Sequence, residues 1–184
     1  MSTTLSRKPK VTIREMRIDD IEQVSEIDRL SFSLPWPKSA YRFEILENER
    51  SYCWVAEVNE SERPVEIIGM IIIWLISDDA HIATLAIHPK YRRLGIAKEL
   101  LRKVLLDVIE KGAQIATLEV RESNTAAQDL YTGFGFEIVG RRWHYYVDNQ
   151  EDAIQMAAFK LNRDEYLSWL RNRENRSLVD WLGK

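Results

Sequence analysis

The sequence predicts an α/β fold built on a mixed sheet, and three observations carry that prediction. Strand-like runs alternate with helical patterns through the middle of the chain. Strand runs on either side of that middle follow one another closely, as hairpin partners do. A strongly amphipathic segment over 94–111 places Leu100, Leu101, Val104, Leu105, Val108 and Ile109 at helical spacing, with Gly112 as its stop. The chain's 184 residues, 45% hydrophobic and 30% charged, suit one domain with a real core.

Residues 1–10 read as a flexible basic lead-in. A first strand covers 11–16, and Asp19 or Asp20 caps a helix carrying Ile21, Val24 and Ile27 on one face. That helix runs out near Phe32, before Leu34-Pro35-Trp36-Pro37, whose two prolines make a stiff apolar loop. Ser39 starts a second short helix with Phe43 and Leu46 inward. Strands over 52–56 and 67–75 form a hairpin-like pair around the turn 59–64, and a further strand covers 80–87 before His88-Pro89. After the central helix come a strand over 115–120 and a short helix, capped by Ser123 or Asn124, that ends at Gly133. Strands over 137–145 and 153–161 complete a sheet of about seven. The tail 162–184 reads as an added amphipathic helix carrying Tyr166, Trp169, Leu170, Leu178 and Trp181. Its tryptophans suit docking on the domain or a dimer contact, so a monomer and a homodimer both remain open.

Bulk properties exclude several classes. A net charge of −3 and a pI near 5.7 lack the basic footprint of a nucleic-acid binder. The longest apolar run, 67–76, is too short to span a membrane. The polar start shows no signal peptide, so a cytoplasmic location is the default expectation. Cys53 is the single cysteine and reads as a buried filler. His81, His88 and His144 are scattered without ligand spacing, and no metal is expected.

The segment Tyr91-Arg92-Arg93-Leu94-Gly95-Ile96-Ala97 contradicts ordinary helix electrostatics. A helix start favours an oxygen-bearing cap and acidic residues, because its first N–H groups are unpaired and carry partial positive charge. This one has two arginines, followed by Lys98. Either the arginines are merely exposed there, or an external anion fills the position, as phosphates do at glycine-containing turns. The Lys-Ser/Thr ending of a nucleotide P-loop and the three-glycine dinucleotide fingerprint are both missing.

Three blocks, in order and in register, resemble the GNAT acetyltransferase superfamily. The first is His88 to Leu101, with an Arg-x-x-Gly-x-Ala core at Arg92, Gly95 and Ala97. The second is Leu118-Glu119-Val120-Arg121-Glu122-Ser123-Asn124-Thr125-Ala126-Ala127, and the third Leu130-Tyr131-Thr132-Gly133-Phe134-Gly135-Phe136. Within that superfamily the chain is most similar to the RimI-type and archaeal N-terminal (Nα) acetyltransferases. Four places carry this: Phe32-Ser33-Leu34-Pro35-Trp36, the Leu-Glu-Val-Arg strand with Ser123-Asn124, Arg141-Arg142-Trp143-His144-Tyr145-Tyr146, and Glu151-Asp152-Ala153-Ile154-Gln155-Met156. The tyrosine segment carries one residue more than the group's pattern, and the connection from Tyr146 to Glu151 is shorter than in the bacterial type.

The resemblance covers about 11–161 and implies a GNAT fold, with 162–184 as an extension. It implies acetyl-CoA as cosubstrate and a protein N-terminus as acceptor, such as that of a ribosomal protein; charge and apolar run length leave no nucleic acid or membrane partner expected. Backbone groups at Leu85, Ala86 and Ile87 are expected along the pantetheine arm. Arg92, Arg93, Leu94, Gly95, Ile96, Ala97 and Lys98 are expected at the pyrophosphate. Asn124 is a helix cap, a cofactor contact or both. Leu34, Pro35, Trp36, Tyr145 and Tyr146 are expected to clamp the peptide, with strand-end packing as the alternative.

Alternation along 117–120 sends Glu119 to the face opposite Leu118 and Val120. A carboxylate in a central strand is paired or used. Glu119 is therefore either a salt-bridge partner, to Arg121 or Arg142, or a general base. Tyr131 is either a core tyrosine or, as the resemblance implies, the acid that protonates the departing thiolate. Transfer to a small amine or a lysine side chain, and a non-catalytic acyl-CoA-binding module, are the competing functions.

Overall fold

Hydrophobic alternation and helical periodicity translate into seven strands and five α-helices in the computed structural model, which describes residues 10–59 and 64–172. The order is β1 (Lys10–Glu15), α1 (Ile21–Ser31), α2 (Lys38–Leu46), β2 (Ser51–Asn59), β3 (Glu66–Ile76), β4 (Asp79–Ile87), α3 (Ile96–Glu110), β5 (Ile115–Arg121), α4 (Thr125–Thr132), β6 (Glu137–Tyr146), β7 (Glu151–Phe159) and α5 (Asp164–Asn172). Short 3₁₀ turns precede α1 and follow β4. All seven strands form one sheet in the order β1-β2-β3-β4-β5-β7-β6. Only β4 and β5 run parallel, with α3 as the crossover; the other neighbours are antiparallel. The lead-in 1–9 and the tail positions Leu178 and Trp181 lie outside the described residues.

Each face of the sheet has its own core. On one face, α3 lays Leu100, Leu101, Val104, Leu105 and Val108 onto Ile68, Ile71 and Ile73 of β3, with Phe134, Phe136 and Leu170 completing the layer. On the other, Val24 and Ile27 of α1 and Tyr41 of α2 meet Val55, Met70 and Ile72. The continuous apolar run of β3 follows from this, since both of its faces are covered. Leu101 is fully buried in the larger core. Leu101→Ala is expected to cost about 3 kcal/mol of stability, read as a lowered denaturant midpoint with an unchanged slope.

Two local expectations need correction. Phe43 and Leu46 do not face inward; they are 47% and 54% exposed. The buried stripe of α2 is instead Tyr41 and Glu44. Glu44 is tolerated there because its carboxylate accepts hydrogen bonds from Trp74 Nε1 at 2.9 Å and Asn48 Nδ2 at 2.8 Å. Asp20 makes no side-chain cap bond to α1. It turns back to accept from the Arg17 N–H at 2.7 Å and pairs with Arg14, which also holds Glu57. The residue that lengthens the tyrosine segment is absorbed as a register shift between Arg142 and Tyr146. His144 lies there at φ 52°, and its N–H is held by Asp152 at 2.8 Å.

Candidate active site

The parallel pair β4–β5 is joined only from Asp79/Ile115 to His81/Thr117. Beyond that point the strands part, although β4 continues to Ile87 and β5 to Arg121. The opening forms a cavity of about 480 Å³, walled by β4, β5, α4, the α1–α2 loop and the end of β6. A split between parallel strands, at their C-terminal ends, is where α/β sheets accept ligands. The His88 N–H bonds Ile68 O of β3. By alternation the backbone groups of Ala86 also face β3, while those of Leu85 and Ile87 point away from it.

Glu119 lies inside this opening with its side chain 13% exposed. Its register partner on β7, Gln155, donates from Nε2 to Glu119 Oε1 at 3.3 Å. Arg142 Nε stands 3.5 Å from the same oxygen, and His81 Nε2 stands 3.5 Å from Oε2. The far side of His81 is also engaged: Nδ1 lies 3.0 Å from Thr117 Oγ1, which lies 3.0 Å from Asp79 Oδ1. A carboxylate only accepts, so the Thr117 hydroxyl gives its hydrogen to Asp79 and receives one from His81 Nδ1–H. His81 stacks on Trp74, and Trp74 stacks on Trp36, giving the cavity an aromatic wall that ends at the carboxylate.

Tyr131, near the end of α4, is buried and lines the same cavity. Burial pushes its phenol well above the usual range, so it stays protonated at neutral pH. Its hydroxyl makes no hydrogen bond among the described residues. Asn124 caps α4 by accepting the Ala127 N–H at 3.1 Å, which leaves its amide hydrogens for other partners.

The entry to α3 has the features of an anion site. Arg93 at φ 65° and Gly95 at φ 80° are both left-handed, and Gly95 caps α3 without a side-chain bond. No acceptor among the described residues serves the N–H groups of Arg93, Leu94, Gly95, Ile96, Ala97 or Lys98. Such a curl of free N–H groups before a 15-residue helix is suited to a phosphate. Arg92 plays another part: its Nε donates to Ile87 O at 3.0 Å and its Nη2 to Ser31 Oγ at 3.0 Å. It ties the turn to the end of β4 and to α1.

Residues 21–136 match the model of the acetyltransferase (GNAT) family. The chain belongs to this family. It is 40% identical over 149 residues to a Bacillus subtilis protein provisionally named a ribosomal protein bS18-alanine N-acetyltransferase, covering 81% of this chain and 95% of the relative. An N-alpha-acetyltransferase of Sulfurisphaera tokodaii is 35% identical over 159 residues, covering 79% and 91%. The crystal structure of the ribosomal-protein-S18-alanine N-acetyltransferase from Escherichia coli superposes with a TM-score of 0.71 at 27% identity, covering 82% of this chain and 94% of that one.

In this GNAT chain the cavity brings together Glu119, Tyr131, Asn124, Leu85, Leu34, Trp36, Tyr145 and Tyr146. Pro35, Ala86 and Ile87 are not part of its lining, nor is the turn 92–98. Pro35 shapes the loop, and Trp36 is the residue held in place: its N–H donates to the buried Asp28 at 2.6 Å. Burial pushes the Asp28 carboxyl up. Of the two ion-pair partners expected for Glu119, the structure shows Arg142 and not Arg121. His81, Trp74 and Gln155 were missed as site residues. His81 and Trp74 looked like isolated polar and aromatic residues in strand runs. Only their alternation, together with that of Glu119, carried a signal.

Proposed function

We propose that this chain transfers an acetyl group from acetyl-CoA to the N-terminal α-amine of a protein, with a ribosomal protein as the favoured acceptor. The observation that carries the reading is the placement of Glu119. A carboxylate stands inside the β4–β5 opening, on the same cavity as a protonated, unpaired phenol at Tyr131. The names of the relatives support the choice of amine and acceptor.

The residues fit acetyl-CoA. Six N–H groups at 93–98 lie at the start of α3, and Leu85 lines the opening with its backbone turned away from β3. When bound there, acetyl-CoA supplies the thioester whose C–S bond breaks as the new C–N bond forms. An α-ammonium titrates near 8, well below the roughly 10.4 of lysine, so drawing off its proton asks less of a carboxylate base. Glu119 accepts that proton, and His81 Nε2 beside it is the next basic site in line. Thr117 and Asp79 fix the orientation of the imidazole. Tyr131 gives its hydroxyl proton to the departing sulfur. Holding amine and thioester together in one cavity supplies much of the acceleration.

Gly95→Val is expected to raise the KM for acetyl-CoA at least about tenfold, because a β-branched residue resists φ 80° and would unwind the N–H curl. Unaltered acetyl-CoA binding by calorimetry would remove the turn from the site. The acceptor class is tested by mass-spectrometric profiling of protein N-termini in cells lacking the chain. Loss of acetylation at one or a few N-termini is the expected result; an unchanged N-terminal profile with altered acetyl-lysine would transfer the reading to side-chain amines.

A further inference from the structure

Helix α5 carries Tyr166, Trp169 and Leu170 of the tail and docks them on the domain. Leu170 is fully buried in the same core as Phe134 and Phe136. The Tyr166 hydroxyl donates to Phe134 O at 2.9 Å. The Trp169 ring meets the buried Phe134 ring edge to face at 5.9 Å and lies 5.4 Å from the Tyr166 ring. Helix α5 lies past residues 21–136, which match the family model, and the proposed chemistry makes no use of it. Its contacts converge on the link 133–136 between α4 and β6. Within that link Gly135 is left-handed at φ 83°, a conformation that leaves the backbone free to shift unless neighbours hold it. The link in turn holds Tyr131. The Tyr131 carbonyl accepts the N–H groups of Phe134 at 2.8 Å and Phe136 at 3.1 Å, and the Tyr131 ring packs 5.6 Å from that of Phe136. Tyr131 stands in the last turn of an eight-residue helix, where carbonyls have no helical partner, so the link supplies what the helix does not.

Building on the proposed role of Tyr131 as the acid, we infer that α5 is a brace for that acid. Tyr166 and Trp169 fix Phe134, and through it they fix Tyr131 against the cavity. Both are positioning residues: neither lines the cavity that holds Glu119 and Tyr131, so each reaches the reaction only through the link. The Tyr131 hydroxyl must stand at hydrogen-bond distance from the departing sulfur as the C–S bond breaks. A displacement of about an ångström at such a donor is enough to cost up to about a hundredfold in rate. Loss of one tie to the link loosens the donor and costs part of that.

The test is a double-mutant cycle on the full chain, with thiol release measured from acetyl-CoA and a peptide bearing a free α-amine. Tyr166→Phe keeps the ring packing and removes only the tie to Phe134 O. It is expected to lower kcat about fivefold, with KM for acetyl-CoA within about twofold of wild type. In a Tyr131→Phe background, which has no acid left to position, the same substitution should change kcat by less than about twofold. Trp169→Leu approaches Phe134 by its other contact and should give the same pattern. A merely structural helix would lower the thermal midpoint and either leave kcat unchanged or lower it equally in both backgrounds. Unchanged kcat in both single variants, or equal losses with and without the Tyr131 hydroxyl, would overturn the brace and leave the acid reading standing. A Tyr131→Phe variant as fast as wild type would overturn the acid reading itself, and the brace with it.

Discussion

Glu119→Gln is expected to lower kcat by about a thousandfold while leaving acetyl-CoA affinity within about twofold. The substitution keeps the shape of the side chain, and its amide oxygen can still accept from Gln155 Nε2. What it removes is the negative oxygen pair that faces His81 and Arg142 at 3.5 Å each. An amide cannot take a proton from an α-ammonium. At pH 7 most of the acceptor amine is protonated, since such amines titrate near 8. The defect should therefore shrink as pH rises through about 8 and the amine deprotonates in solution. A loss of acetyl-CoA binding equal to the loss in kcat would mean that Glu119 holds the β4–β5 opening in shape and does no proton transfer. Thermal unfolding measured alongside separates the two, because a merely structural carboxylate shows its loss there.

Tyr131→Phe is expected to slow turnover by about 10- to 100-fold, with the effect confined to kcat. The ring packs 5.6 Å from Phe136, so phenylalanine preserves the packing and removes only the hydroxyl. That hydroxyl is buried against the cavity with no hydrogen-bond partner among the described residues, an arrangement that leaves it available for a departing thiolate. Because burial pushes the phenol up, the wild-type rate should hold its plateau on the alkaline side through the range where an ordinary tyrosine would ionise. A rate indifferent to the substitution at every pH would assign Tyr131 to the core alone.

Much of the fold was legible because its signals are local. The heptad-like spacing from Leu100 to Ile109 defines α3, and the doubly apolar β3 announces a strand covered on both faces. The unusual entry to α3 was legible for the opposite reason, as a local violation: arginines and a glycine where a cap should stand. Phe43 and Leu46 misled because a short amphipathic helix offers two adjacent apolar stripes. The choice between them was made by Trp74, 30 positions beyond Glu44, which satisfies that buried carboxylate. His81, Thr117 and Asp79 meet only because two parallel strands align at their N-terminal ends, which no spacing in the chain foretells. The hydrogen bonds joining Ser33, Arg121 and Asp148 likewise depend on two loops brought together by the sheet order.

Strand β6 was expected over 137–145 and lies at 137–146, but its exposure was not legible: Ile138, Val139 and Trp143 are all exposed at this sheet edge. Its role in the site comes from its last residues, where the shifted register turns Tyr145 and Tyr146 toward the cavity. The two rings meet edge to face at 5.2 Å, and burial pushes the Tyr146 phenol up to about 12 against the opposing pull of Arg121.

The most direct measurement is thiol release from acetyl-CoA by the purified chain, with a panel of peptides differing only in whether the α-amine is free or blocked. Thiol release with free-amine peptides, matched by a single acetyl group on the first residue, is the expected result. No release above the peptide-free background across the panel would contradict the assignment of Glu119 and Tyr131 to acetyl transfer onto a protein N-terminus.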